Sequence, residues 1–359
     1  MKILKSVIAV IVAGALFAAA YIYFTGAESP SISKTQENSV VINEYMAANR
    51  SFLPDDNGQY SDWVEIYNPL ETSAALSGYG LSNDKKSVKW TFPGITLEPG
   101  GYIVVFASGA GTSDPAALFQ HAGFKLSAEK GGVYLFDREG RIIDSEEYNA
   151  VQTPDVSVGR DASNPNSWKQ FTKPTPGFIN DESGYEAFQK SRIAKDPQLL
   201  ITEVMASNKT AVADNKGKYS DYIEIYNKGG EAVDLAGYGL SDDPAKALKW
   251  KFPAVTIGPG EYIVVFASGE DDKATDVSKG ALHTNFRLSA YRQSVLLCDK
   301  MGYILDRIDI SEMASDTAYS RILSAGAYTG EWEKTDKPTP GFPNDAKGYS
   351  DFINGRSKQ

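Results

Sequence analysis

One stretch of this chain is written twice, and that repetition constrains the fold more than any other feature. The first copy runs YSDWVEIYNP from Tyr60, then LSGYGLS, then KWTFPGITLEPGGYIVVFASG, ending at Gly109. The second begins YSDYIEIYNK at Tyr219, continues LAGYGLS, and ends KWKFPAVTIGPGEYIVVFASG at Gly269. In the last segment 15 of 21 positions are identical. The offset drifts from 159 at Asp62/Asp221 to 160 at Trp90/Trp250, 162 at His121/His283 and 164 at Pro174/Pro338. Drift that small means altered loop lengths within two copies of one unit. The chain of 359 residues therefore divides into two units, each large enough to bury about two-thirds of its unfolded surface without a metal or disulfide staple.

Within a unit the strand signals are dense. WVEIYN (63–68) alternates, with Val64 and Ile66 facing one way and Trp63, Glu65 and Tyr67 the other. VKWTF (88–92) places Val88, Trp90 and Phe92 inward. YIVVFAS (102–108) is a continuous apolar run, expected of a central strand covered on both faces. FKLS (124–127), GVYLFD (132–137) and RIID (141–144) follow, with turns at Glu98–Gly101 and at Arg138–Gly140. Short β-branched or aromatic segments, bounded by Gly, Pro and Asp/Asn and lacking helical alternation, indicate a β-sandwich. One short closing helix is expected in 180–192, echoed at 344–356.

At the front, Lys2 and Lys5 precede an uncharged apolar run over 6–24. Its length matches a bilayer's hydrocarbon thickness, and the leading lysines predict a cytoplasmic N-terminus with the rest outside. The alternative is a cleavable signal peptide; either reading exports the protein. No cysteine lies near the end of the run, which argues against a lipoprotein anchor. The expected layout is a signal anchor or signal peptide at 1–25, a flexible linker at 26–38, and sandwiches at 39–192 and 198–356.

The formal charge is −10, which repels phosphate backbones, so no nucleic-acid partner is expected. The single cysteine, Cys298, rules out an intrachain disulfide and lies in an apolar run as a small buried hydrophobe.

Glu44, Asn49, Asp62, Glu65 and Asn68 recur as Glu203, Asn208, Asp221, Glu224 and Asn227. Paired carboxylates can run acid–base chemistry or hold a hard cation. They can equally orient loop-to-strand joins through backbone hydrogen bonds. Asp55, Asn57, Gln59 and Asp62 loosely resemble a calcium loop. The second unit has Asp214, Lys216 and Lys218 there, and an ammonium cannot ligate a cation, so calcium is an option for the first unit only. His121 and His283, one per unit, cannot build a three-histidine zinc site and are expected to pack at strand starts. No G-x-S-x-G presents a nucleophile, and the glycine-rich 107–114 lacks the lysine of a phosphate loop. Arg160 and Arg321 are expected to pair with carboxylates inside their own sandwiches; binding an anionic partner is the alternative. No cofactor is expected.

Taken together, E-x-M/V-A-x-N, D-W/Y-x-E-I-Y-N, L-x-G-Y-x-L-S, K-W-x-F-P, P-G-x-Y-I-V-V-F-A-S-G and the closing T-P-G resemble the lamin tail domain family, over about 40–178 and 199–342. The resemblance implies two tandem immunoglobulin-like β-sandwiches, an all-β architecture. It also implies a mainly non-catalytic module, whose bacterial members are exported and accompany nucleases, hydrolases or spore-coat-type kinases. The reading that follows is an extracytoplasmic binding or scaffolding protein, not an enzyme, tethered by its N-terminal helix and contacting envelope protein or polysaccharide. The competing readings are a metal-dependent hydrolase built on the acidic clusters and an accessory subunit of a separate enzyme.

Overall fold

The computed structural model describes residues 39–272 and 282–356. Among the described residues no helix is long and apolar enough to cross a membrane; the apolar run at 6–24, with the anchor expected there, lies outside them.

The first unit stacks two sheets. One has six strands in the order Asn164–Phe171, Ser157–Asp161, Val41–Met46, Trp63–Tyr67, Tyr102–Phe106 and Gln120–His121. The other has four, in the order Ile142–Tyr148, Gly131–Phe136, Gly80–Ser82 and Trp90–Thr91. Between them lie Ile42, Val64, Ile66, Leu81, Trp90, Val105, Val133 and Leu135. The second unit repeats the plan, with five strands (Tyr262–Phe266, Tyr222–Asn227, Leu199–Met205, Ala318–Ser324, Ala327–Thr335) against four (Trp250–Lys251, Gly239–Ser241, Tyr291–Cys298, Ile304–Glu312). This all-β architecture is consistent with an immunoglobulin-like sandwich.

A third layer covers the outer face of the larger sheet. Helix α1 (Glu182–Ser191) follows the first sandwich and α2 (Ala346–Arg356) the second. Phe188 of α1 and Phe178 before it pack on Met46, Trp63 and Phe106. The alternation in 63–67 is therefore real, yet every residue of that strand is buried: Val64 and Ile66 enter the sandwich while Trp63 faces the helix. Phe352 of α2 packs on Met205, Tyr222 and Phe266 in the same way. Asp181 caps α1, its carboxylate accepting from the Gly184 N–H at 2.9 Å. Asp181→Ala is expected to cost about 1 kcal/mol, read as a lower urea midpoint with unchanged slope.

Three expectations are corrected. Tyr102–Phe106 is not central. It pairs with Trp63–Tyr67 on one side but on the other meets only a two-residue parallel strand at Val105 and Phe106 in the first unit, and its counterpart Tyr262–Phe266 is the edge strand of the five-stranded sheet. Its apolar run comes from the helix layer on one side and the core on the other. Val88 is 38% exposed rather than inward, because the strand begins only at Trp90 and Val88 sits over Gly80. FKLS forms no strand.

The two units touch. Ile193 and Ala194 add to the strand at Ile304, through Ile304 N–H to Arg192 O at 2.7 Å and Ala194 N–H to Ile304 O at 2.9 Å. Tyr60, from the 55–61 loop of the first unit, packs on Leu248, Leu296, Cys298 and Ile304. Gly58, at φ +67°, lets that loop approach, since a Cβ there would lie 3.1 Å from Lys300 O.

Candidate functional site

The repeated carboxylates are brought together and then sealed. Glu44 and Glu65 are register partners on adjacent strands, both fully buried. A bulge between Ile42 and Glu44 puts them on one face. Without it Ile42, Glu44 and Met46 would share a side; with it Ile42 enters the core and Glu44 turns toward the helix layer. Glu203 and Glu224 repeat this behind a bulge at Ile201/Glu203.

The closing T-P-G clasps each pair. Thr175 N–H donates to Glu44 at 3.1–3.2 Å, and Gly177 N–H to Glu65. Thr339 N–H donates to Glu203 at 3.1 Å and Gly341 N–H to Glu224 at 2.6 Å. Asn43 Nδ2 also donates to Glu65 at 2.7 Å, and Thr202 Oγ1 to Glu224 at 2.7 Å. The last donor to the first glutamate moves between copies. Ser157 donates to Glu44, whereas Glu203 receives Ser320, in register opposite it, at 2.7 Å. In the first unit the residue opposite Glu44 is Gly159, where a Cβ would meet Asn180 Nδ2 at 2.6 Å. Tyr222 OH gives Glu203 one more donor, and Trp63, its counterpart, has an Nε1 with no hydrogen-bond partner.

Burial dominates the titration. It pushes Glu44 up to about 7 and holds Glu65 well above the carboxylate range, with the Glu44 charge adding to the effect. Glu203 and Glu224 are raised for the same reasons. Two carboxylates side by side cannot both ionise cheaply, so each pair holds protons to higher pH than an exposed carboxylate does. Sealed beneath backbone donors, the pairs can neither reach a substrate nor accept a cation without opening the clasp.

The other repeated polar residues organise loops. Asp62 accepts from Asn49 N–H at 3.1 Å, and Asn49 Nδ2 donates to the Leu53 and Ser61 carbonyls at 2.7 and 2.8 Å. Asp221 and Asn208 do the same in the second unit. Asn68 Nδ2 donates to the Thr72, Leu97 and Glu98 carbonyls, and Asn227 to those of Glu231 and Ile257. Among the calcium candidates, both Asp55 oxygens accept from its own loop: Asn57 N–H and Gln59 N–H at 2.9 Å, and Ser61 Oγ at 2.9 Å. Asn57 Nδ2 turns to Asp56 at 3.2 Å. Among the described residues no three His, Cys, Asp or Glu side chains form a metal-holding group.

One arrangement escaped the sequence. His121 Nδ1 lies 2.9 Å from Ser108 Oγ, and its Nε2 lies 2.9 Å from Asp56 Oδ1. The residue types are those of a hydrolase triad. The second unit keeps the geometry with Ser268, His283 and Asn215, at 2.9 and 3.0 Å. A neutral Asn cannot stabilise an imidazolium as Asp would. Ser108 Oγ also accepts from Ala110 N–H at 3.2 Å, and each ring stacks on a core phenylalanine, Phe106 or Phe266, at 5.7 Å. What both copies preserve is a latch tying the 55–61 or 214–220 loop to the end of an adjacent strand.

The concave surface lies elsewhere. A groove of about 200 Å³ runs beside the free half of Tyr102–Phe106, lined by Leu53, Leu97, Val104, Phe119, Phe178, Arg192 and, from the second unit, Tyr303. Arg192 is 9% exposed and stacks 4.4 Å over Tyr303, while its Nη2 donates to Met301 O. Burial lowers its pKa. Since 66 and 103 pair antiparallel and Ala107 N–H bonds inward to Asp62 O, ladder alternation turns the Tyr102 and Val104 backbone groups outward.

The lamin tail domain family model matches residues 33–150 and 193–312. This chain belongs to the lamin tail domain family. Each match stops short of the clasp: the strands at 157–171, Thr175–Gly177 and α1 continue past residue 150 yet complete the same sheet and its third layer. The family is a non-catalytic sandwich module, and both copies here have that architecture. No curated protein matches the chain. Among solved structures, the exo-chitosanase CsxA of Amycolatopsis orientalis with PNP-beta-D-glucosamine is similar at 17% identity and a TM-score of 0.16, over 71% of this chain. A second structure of that enzyme matches at 16% identity and a TM-score of 0.16. The chain spans about a quarter of the length of that enzyme.

Proposed function

We propose that this lamin tail domain protein is a non-enzymatic binding and scaffolding module of the cell envelope. Residues 1–25 export and tether it, and its paired sandwiches engage an envelope partner outside the membrane. The observation carrying this reading is that the repeated carboxylates are sealed beneath the T-P-G clasps, while the groove at the unit junction stays open. A metal-dependent hydrolase would need those carboxylates in a cleft. The lysines and uncharged apolar run at the N-terminus support export. Between protein and polysaccharide, the outward backbone groups of Tyr102 and Val104 beside apolar walls favour an extended protein strand added to the sheet edge.

The test immobilises the purified full chain in detergent and offers it cell-wall fractions and solubilised envelope protein. Specific retention of an envelope protein, reduced at least tenfold by Phe119→Asp on the groove wall, is the expected result. Retention of neither fraction, or retention indifferent to Phe119→Asp, overturns the reading.

A further inference from the structure

The groove beside Tyr102–Phe106 has one closed end, and a cation stands there. The strand's outer edge is free only over its first part, because Gln120 and His121 already pair in parallel with Val105 and Phe106. At the other end the groove opens past the turn that Gly101 N–H closes on Glu98 O at 2.9 Å. A strand laid along Tyr102 and Val104 therefore runs out of edge at Val105. A chain continuing in that direction would run into Gln120.

Arg192 marks the closed end. Its guanidinium lies 5.9 Å from the Phe188 ring, and Phe188 shares an apolar cluster with Phe106 and Phe119. Arg192 is 9% exposed, a burial at which a charge is normally paired. Among the described residues this one has no ion pair. Its guanidinium donates to a neutral carbonyl, that of Met301, and its faces meet the rings of Tyr303 and Phe188. Asp299 contributes its field but spends Oδ1 on the N–H groups of Met301 and Tyr303, at 2.9 and 2.8 Å. The Phe188, Gln189 and Lys190 carbonyls ending α1 are taken by Ser191 Oγ, Arg192 N–H and Ile193 N–H, at 2.7, 3.2 and 3.3 Å. Gln120, which also lines the groove, holds a second unmet group. Its Nε2 donates to Asp114 O at 2.9 Å, which orients the amide, and its Oε1 is buried with no partner.

We propose that the groove receives the carboxyl terminus of a partner protein, its last residues added as a strand parallel to Tyr102–Phe106 and its terminal carboxylate held by Arg192. This rests on the strand-addition reading above and narrows the partner. A chain end fits better than an acidic side chain because the edge itself ends, so the strand has to end with it. Guanidinium is matched to carboxylate in charge and in its forked donors. The last peptide N–H of such a strand is the donor that Gln120 Oε1 lacks. Glu98 at the open end repels a carboxylate and so favours this direction of entry. Backbone pairing and capture of a terminal carboxylate are both established ways of recognising a peptide.

The test offers the full chain in detergent to an array of short random-sequence peptides, printed once with free carboxyl ends and once as carboxamides. A subset of the free acids should bind, and their carboxamides should bind about tenfold more weakly or worse, the worth of one charge-assisted hydrogen bond. Phe119→Asp should weaken binding of the acids. Arg192→Gln, with an unchanged circular dichroism spectrum, should bind acids and carboxamides alike. The comparison on wild type stands even where that variant fails to fold. Peptides bound equally as acids and carboxamides, and lost in Phe119→Asp, overturn this proposal while leaving strand addition intact. A carboxylate preference that survives Arg192→Gln overturns the assignment to Arg192. Binding of neither set, or binding indifferent to Phe119→Asp, overturns the strand-addition reading and this proposal with it.

Discussion

Replacing Arg160 by methionine is expected to cost the first sandwich about 3–5 kcal/mol, the range for breaking a buried ion pair from one side. Arg160 lies beneath the surface with every arm committed. Its Nη2 donates to both Asp144 oxygens at 2.7 Å, Nε to Ile42 O at 2.7 Å and Nη1 to Pro165 O at 2.7 Å. Trp168 stacks against the guanidinium at 4.7 Å. Asp144 in turn accepts from Ile42 N–H at 2.8 Å. Since Asp144 belongs to the four-stranded sheet while Ile42 and Arg160 belong to the six-stranded one, the pair fastens the two sheets together. Arg321 repeats the device with Asp306 at 2.5 Å, Ile201 O at 2.8 Å and Trp332 at 4.5 Å. Methionine fills much of the volume but leaves the Asp144 charge stranded, so Asp144→Asn added to Arg160→Met should recover part of the loss. Urea denaturation of the full chain measures both. A loss below about 1 kcal/mol for Arg160→Met would mean the pair is solvated as surface pairs are, reopening the anion-binding alternative.

What could be read in the chain before its structure follows from the range of the physics involved. Period-two alternation, turn residues and the repeat are local signals, and they conveyed the sandwich, the closing helices and the burial of Trp90 and Cys298. The internal pairing of Arg160 and Arg321 was the expected reading, with binding of an anionic partner as its alternative. Two things were not. The sealing of Glu65 depends on Gly177, 112 residues further along, and on a bulge that flips Glu44 to the same face; alternation alone cannot register a bulge. The junction was hidden because it lies in differences between the copies. Cys298 against Phe136 and Gln59 against Lys218 look like drift until the loop is seen docked on the face.

Those sealed pairs make stability fall as pH rises, against the usual behaviour of paired carboxylates. Glu44 titrates near 7 in the folded chain against an ordinary 4.5, and Glu65 is held well above that ordinary value by burial and by the Glu44 charge. Between those limits the native state binds protons that the unfolded chain has released. The favourable contribution is complete below the ordinary carboxylate value and is lost as pH climbs through the folded one. Each retained proton sets a slope of about 1.4 kcal/mol per pH unit. The Glu203 and Glu224 pair has the same sign. Glu44→Gln with Glu65→Gln removes both titrations from the first unit while keeping a carbonyl oxygen for Thr175 and Gly177 to donate to. That variant should lose part of the wild-type decline in melting temperature from about pH 5 to about pH 8, and adding Glu203→Gln and Glu224→Gln should lose more. Parallel profiles for wild type and the fourfold variant would show that the pairs ionise freely, and therefore that the clasp opens to water. In that event the carboxylates return as candidate ligands or bases, and the case for a purely structural role fails with them.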